Sequence, residues 1–160
     1  MAIKDQKIET FLEELSGKSP TPGGGAVAAL SGAMAAALVE MVLNITKDEE
    51  LKTKYLGKIR TLRGELLELA DEDVAAFDGV MEAYKSKSPS RIKKALIYAT
   101  DVPEKTKALS GEVEKLADEI VEHGNKNAVS DARTAVLLSK AAQASAEENI
   151  KINKQALKKL

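Results

Sequence analysis

Apolar residues recur every three or four positions through most of this chain, the spacing of helices that bury one face. A first helix is predicted over Asp5–Ser16, with Ile8, Phe11, Leu12 and Leu15 as its core stripe and Gly17 as its end. The stretch Gly17-Lys18-Ser19-Pro20-Thr21-Pro22-Gly23-Gly24-Gly25 then interrupts helical structure, because its prolines restrict the residues before them and its glycines carry the highest backbone entropy. A second helix is predicted over Gly25–Asn44, crowded with small residues and free of charge from Ala26 to Val39. Having no polar face, it is expected to be surrounded by protein. Its uncharged stretch approaches the length of a membrane span, but Ala and Gly contribute little to insertion and Glu40 interrupts it. A crowded centre, with helices in close approach, is the expectation.

The third predicted helix, Asp48–Lys85, carries the stripe Tyr55, Ile59, Leu62, Leu66, Leu69, Asp73, Phe77, Val80 and Tyr84. Asp73 therefore stands where a hydrophobe belongs. Asp71 is rotated about 160° away at 100° per residue, on the side of Glu72 and Asp78. A carboxylate in an apolar seam costs several kcal/mol unless it is paired, hydrogen-bonded or protonated, and sites that carry that cost are often functional. The alternative is a buried Asp that fixes helix register. At 1.5 Å per residue this helix would run roughly 55 Å, longer than the diameter of about 40 Å expected for a domain of this size. Its ends are expected to need a second subunit or an elongated bundle.

The joint Ser86–Ser90 offers Ser88 as a cap and Pro89 at the first helical position. The helix that follows passes through Ile92, Ala95, Leu96 and Ala99 and is expected to break or kink at Pro103. Leu109, Val113, Leu116, Ala117, Ile120 and Val121 resume a stripe that Gly124 ends. A last helix starts between Asn127 and Ser130 and runs to the C-terminus. No repeat or linker divides the chain, so residues 1–160 read as a single all-α domain. Its expected architecture is an elongated multi-helix bundle of long antiparallel helices, expected to be dimeric.

Composition narrows the function classes. With 160 residues, 44% hydrophobic and 31% charged, the chain has enough apolar material for one core and is too polar for a membrane protein. The 24 basic and 25 acidic residues leave a net charge of -1, so no basic footprint invites nucleic acid or an anionic bilayer. Aromatics make up 3% and Trp is absent, which removes the stacking platforms of single-strand binders. With no Cys there is no disulfide, thiol nucleophile or thiolate metal site. The charged N-terminus Met1–Lys7 lacks the apolar core of a signal peptide, and a cytoplasmic protein is expected.

Two further polar features are candidates for chemistry. The glycine run ahead of the second helix leaves N–H groups at the positive end of a helix dipole, which suits a carboxylate, phosphate or carbonyl oxygen. No strand precedes it and no Gly-Lys-Ser/Thr follows, so it is not a P-loop. A tight turn that permits close packing is the other reading. On the last helix Asp131, Ala135, Leu138, Ala142, Ser145 and Asn149 share a narrow face, with Asn153 a turn further on. Its polar members are ligand candidates, or else caps and partners for buried backbone groups.

Taken together, Phe11–Ser16, Ser19–Gly25, Ala70–Phe77, Val102-Pro103, Gly124–Asp131 and Asn149–Asn153 resemble the cyclodeaminase/cyclohydrolase family, over nearly the whole chain and in order. That family includes the C-terminal half of formiminotransferase-cyclodeaminase and stand-alone methenyltetrahydrofolate cyclohydrolases. The combination of Pro-Thr-Pro-Gly-Gly-Gly with Asn-Ala-Val-Ser-Asp-Ala is its most specific part. Three departures stand out. Ala26 replaces the Ser common after the glycines, the connection around Lys85–Arg91 is short, and the family's final helix has no counterpart after Leu160, so another cover for that apolar surface is expected.

The resemblance implies an all-helical homodimer or higher homo-oligomer acting on a tetrahydrofolate derivative, with no cofactor beyond that substrate and no metal. The implied reaction is cyclisation of 5-formiminotetrahydrofolate with loss of ammonia, or hydrolysis of 5,10-methenyltetrahydrofolate to 10-formyltetrahydrofolate. Both need proton transfer beside a cationic carbon, which a carboxylate in a low-dielectric seam can serve as base or counter-charge. Asp73 is the first candidate for that role and Asp71 the second. Gly23, Gly24, Gly25, Asn127, Ser130, Asp131, Asn149 and Asn153 are the candidate substrate-binding residues. A noncatalytic folate-binding or interaction protein on the same scaffold is the alternative. A carboxylate-bridged metal protein would need Glu-x-x-His pairs, and the only histidine, His123, stands at a helix end where it serves the dipole.

Overall fold

A computed structural model describes residues Met1–Leu160, and they form helices joined by short turns with no strand. A 3₁₀ turn at Ile3–Asp5 is followed by α1 (Ile8–Leu15), α2 (Gly24–Asn44), α3 (Glu49–Lys85), α4 (Pro89–His123) and α5 (Val129–Lys158), with a second 3₁₀ turn at Lys126–Ala128. Helix α3 starts where Asp48 accepts a hydrogen bond from the Leu51 N–H at 2.9 Å, one of the N–H groups that a helix start leaves without an internal partner. Pro89 occupies the first turn of α4, and Ser88, although at the cap position, makes no side-chain cap.

Four long helices form the bundle. Helix α2 packs against α3, α4 and α5, and its Val39, Val42 and Leu43 are fully buried with Ile59 and Leu66 of α3 and Val113 of α4. Each such side chain contributes roughly 2 kcal/mol of apolar burial. Gly32 marks a close approach of three helices: a methyl there would lie 2.6 Å from Ser110 Oγ and 3.1 Å from a Leu66 methyl. Ion pairs report the directions of the helices. Gly32 of α2 lies by Leu66 of α3 while Glu40 receives Arg60 and Arg63 at 2.8 and 2.9 Å, and α4 meets α5 through Lys107–Glu147 and Lys154–Glu104 at 2.8 and 2.6 Å, so both pairs run antiparallel.

Three expectations from the sequence need correction. Helix α1 has no buried residue: Ile8 is 79% and Leu12 53% exposed, and of its expected core stripe only Phe11 packs on the main core. An amphipathic stripe needs a neighbour, and none in this chain covers Ile8 and Leu12. Helix α2, apolar and long enough to cross a membrane, is mostly buried, yet it is not surrounded by protein, since Met34, Ala37, Met41 and Ile45 form an exposed strip along one side. Pro103 neither breaks nor ends its helix, because α4 runs unbroken through it.

Candidate functional site

Helix α3 runs antiparallel to α2, and this places Asp73 at the first turn of α2. Gly23, at the cap position, has no side chain to offer the free N–H groups there. Asp73 takes that place from the neighbouring helix. The Ala26 N–H favours its ionised form, while the N–H groups of Gly24 and Gly25 have no partner in the chain. Burial pushes the Asp73 carboxyl above its ordinary value of 3.8, and the Ala26 hydrogen bond pulls in the opposite direction without cancelling the rise.

No glycine here has a positive φ, and it is at Gly25 that the absence of a side chain is needed for space. A methyl at Gly25 would lie 2.7 Å from Asp73 Oδ2 and 2.5 Å from its Cγ, and closer still to Oδ1. At Gly23 a methyl would come within 3.3 Å of the Pro20 carbonyl oxygen, and at Gly24 it would stand 3.9 Å from Asn149 Nδ2. From α5, Ser145 Oγ donates to the Gly24 carbonyl at 3.4 Å, and Asn149 Nδ2 donates to the Ser145 carbonyl at 3.0 Å. Asp73, Gly24, Gly25 and Asn149 thus converge on the N-terminus of α2, together with Ser145. Ser145 is one of the polar members that the sequence placed on the same face of the last helix as Asn149, although it was not among the residues assigned to substrate binding.

The other candidates lie elsewhere. Asp71 points to a different side of α3, as its helical phase requires, where its Oδ1 accepts from the Ile3 N–H and holds the N-terminal turn. Its second oxygen is buried without a partner beside a cavity of about 420 Å³ lined by Gln6, Thr21 and Pro22 among others. Asn153 Nδ2 donates to the Ala99 carbonyl at 2.6 Å. Pro103 has no N–H to give that carbonyl, so Asn153 satisfies the oxygen that the proline orphans. The amide donor of Asn153 is therefore occupied by structure.

Asn127, Ser130 and Asp131 sit at the opposite end of α2. Asn125 anchors them: its Nδ2 donates to the Ile45 carbonyl at 2.7 Å, its N–H to Thr46 Oγ1 at 3.0 Å, and its Oδ1 accepts from the Asn127 N–H at 2.9 Å. Sequence reasoning missed Asn125, although Asn before a helical turn is a familiar capping signal. Ser130 and Asn149 are separated by about 28 Å along α5. Within one chain the structure does not bring these two groups of candidates together.

No set of His, Cys, Asp and Glu side chains is arranged to hold a metal. The chemistry available at the α2 N-terminus is that of a half-buried carboxylate with raised proton affinity, beside two unused N–H donors and an amide side chain. Such a group can take a proton from water or face a cation.

Comparison with known proteins bears on this chemistry. A family model described as formiminotransferase-cyclodeaminase matches residues 7–159. The methenyltetrahydrofolate cyclohydrolase of Methylorubrum extorquens is 42% identical over 96% of this chain and 81% of its own length. The formimidoyltransferase-cyclodeaminase of Mus musculus is 25% identical over 95% of this chain, a match that occupies 31% of that longer protein. Among solved structures, formiminotetrahydrofolate cyclodeaminase from Thermotoga maritima superimposes with a TM-score of 0.91 at 33% identity, covering 97% of this chain and 81% of that one.

Proposed function

The chain belongs to the formiminotransferase-cyclodeaminase family and is a folate one-carbon enzyme, and from that premise we propose that it hydrolyses 5,10-methenyltetrahydrofolate with Asp73 as the proton acceptor. The observation that carries this reading is the Asp73 carboxylate seated against Gly25 at the start of α2, with its proton affinity raised by burial. The higher identity to a cyclohydrolase than to the cyclodeaminases favours hydrolysis. Cyclisation of 5-formiminotetrahydrofolate with loss of ammonia is the second reading, favoured by the likeness to a cyclodeaminase structure.

In the proposed hydrolysis the methenyl carbon carries a positive charge shared between two ring nitrogens. Ionised Asp73 faces that charge and takes a proton from the attacking water as the new C–O bond forms. The bond from this carbon to N5 then breaks, N5 takes the proton back, and the hydroxyl collapses to the formyl C=O as its own proton leaves to solvent. The cation plus water thus yields the neutral 10-formyl product and one proton. Gly24 and Gly25 N–H groups and Asn149 are proposed to hold polar atoms of the folate, Asp71 to act structurally, and no further cofactor is called for. A cytoplasmic homo-oligomer is part of the same proposal.

An absorbance assay of the purified protein on both substrates tests it. Turnover of the methenyl compound is expected, and Asp73→Asn should lose about 100- to 10,000-fold, the usual contribution of a positioned base. Equal rates for the two proteins would remove Asp73 from the chemistry. Turnover of the formimino compound alone would select the second reading.

A further inference from the structure

We propose that the groove continuing the axis of α2 beyond its N-terminus holds the aminobenzoyl-glutamate part of the folate, with the ring between Phe77 and Ile152 and the glutamate past Tyr84. The inference rests on the reading of Asp73 given above and extends it to the rest of that substrate. It starts from where the helices end. Helix α2 begins at Gly24, level with Asp73 of α3 and Ser145 of α5. From that level α3 runs on to Lys85 and α5 to Lys158, each for roughly 18–20 Å. Both pack on α4, so the place beyond the end of α2 is a groove with α3 and α5 as walls. Its floor is the small cluster of Ile92 and Leu96 of α4 with Val80, Ala83 and Ala156.

The walls are apolar although no element of the chain covers them. At 100° per residue Phe77, Val80 and Tyr84 lie within about 40° of the direction in which Asp73 faces Gly25. Ile152 lies within about 20° of Ser145, which meets Gly24. Tyr84 is 45% and Ile152 64% exposed, and Phe77 is half-buried. The acids on this part of α3, Asp78 and Glu82, are rotated about 140° and 180° from Asp73 and leave the groove free of negative charge. Uncovered apolar side chains aligned beside a polar site are the mark of a ligand surface.

Beyond the apolar walls the bundle ends in cations. Lys85, Lys87, Arg91, Lys93 and Lys94 are exposed with no acid among residues 85–94, Lys159 stands exposed after the end of α5, and none of the six is in an ion pair. The order carboxylate, apolar wall, cations is the order of a folate read outward from its methenyl carbon: a cationic centre, an aryl ring, then the glutamate carboxylates. With bonds of about 1.5 Å, that outward part spans on the order of 10–12 Å. Phe77 and Ile152 sit about 6 and 10 Å along their helices from Asp73 and Ser145, and side chains on both helices lean back toward that level. The ring therefore falls between them, and the carboxylates come within reach of the long lysine side chains. The reverse orientation would set the glutamate carboxylates against Asp73 and an uncharged pterin among the cations.

Steady-state kinetics tests the proposal on 5,10-methenyltetrahydrofolate and on an analogue that lacks the glutamate and ends in the benzoyl amide. Ile152→Asp is expected to raise KM about 10-fold or more on both substrates with kcat within twofold, the pattern of a contact made equally in ground and transition states. Because Ile152 is exposed, folding is not at stake, and Ile97→Asp, at an exposed position on another face of α4, should leave KM and kcat alone. Reversing charge with Lys85→Glu, Lys87→Glu and Lys159→Glu together is expected to raise KM on the glutamate-bearing substrate only, by a factor that shrinks as salt is added. An unchanged KM in Ile152→Asp overturns the proposal, as does an equal effect of charge reversal on the two substrates. So does an Ile152→Asp protein whose elution volume changes while KM does not, since the groove would then seat a second copy. If the wild type turns over neither the methenyl nor the formimino compound, the reading of Asp73 falls, and equilibrium dialysis of tetrahydrofolate decides this one separately. Weaker binding by Ile152→Asp would uphold the groove, and equal binding would overturn it.

Discussion

The carboxylate of Asp73 fills the space that a side chain at residue 25 would need: a methyl on Gly25 would stand 2.7 Å from Oδ2 and 2.5 Å from Cγ. Contacts under 3 Å between non-bonded carbons do not persist, so either the carboxylate or the first turn of α2 has to move. Gly25→Ala is therefore expected to remain helical while displacing Asp73 by about 1 Å, a shift that costs on the order of 100-fold in rate when reacting groups are held by position. Steady-state kinetics beside circular dichroism checks this. A Gly25→Ala protein with wild-type kcat/KM would separate the glycine from the chemistry.

Asp73 also makes stability depend on pH. Its carboxyl is raised above 3.8 in the folded chain because burial disfavours the charge. A raised folded value means that the fold is favoured while the group is protonated and loses that advantage as pH rises through the folded value. Asn cannot ionise but can still accept from the Ala26 N–H. Asp73→Asn is thus expected to melt above the wild type at pH 8, by about 2–4 °C for each kcal/mol relieved, and the two curves should converge on acidification. Calorimetry at several pH values decides it, and a variant less stable than the wild type at pH 8 would contradict the assignment of burial as the dominant influence.

Glu40 has the opposite sign. Hydrogen bonds from Arg60 at 2.8 Å and Arg63 at 2.9 Å hold its carboxyl below the ordinary value of 4.5, with burial opposing. A lowered folded value stabilises the fold above the ordinary carboxylate range, and the effect fades as pH falls through the folded value. Because both arginines are about half exposed, solvent screens much of the attraction. Glu40→Gln should cost about 1 kcal/mol at neutral pH and progressively less below pH ~4. Urea titrations at pH 7 and pH 3 measure the difference, and an equal penalty at both would show that packing, rather than charge, is what the arginines supply.

Asp73 was legible in the sequence because helical phase alone assigns a residue to a seam. The glycine run was legible too, and the clearance at Gly25 is the close packing that one of its two readings expected. Helix α1 misled because the spacing of Ile8, Leu12 and Leu15 tells which face is apolar without telling what covers it. The exposed strip of α2 escaped notice for the converse reason, since a helix apolar on every side does not declare which side is left open. Asn127, Ser130 and Asp131 stood among the substrate-binding candidates with the glycines because the family resemblance implied it. Which end of α2 each segment occupies depends on the antiparallel course of α5, which no local pattern encodes.

Pro103 is the clearest case of a local rule overridden from a distance. A proline inside a helix removes one N–H and crowds the carbonyl four residues back, a loss of about 3 kcal/mol that commonly ends the helix. Here that carbonyl belongs to Ala99, and Asn153, 54 residues further along the chain, donates to it from α5 at 2.6 Å. If this donation is what lets α4 continue, the two residues must be energetically coupled. Asn153→Ala alone is expected to cost about 1–3 kcal/mol, because it leaves a buried carbonyl unpaired. Pro103→Ala returns an N–H to Ala99 and makes the Asn153 amide dispensable. In that background the same Asn153→Ala change should cost at least 1 kcal/mol less, a coupling within the usual range for groups sharing one hydrogen-bond acceptor. Urea unfolding of the four proteins in this cycle gives the coupling directly, and strictly additive penalties would mean that the helix tolerates its proline for some other reason.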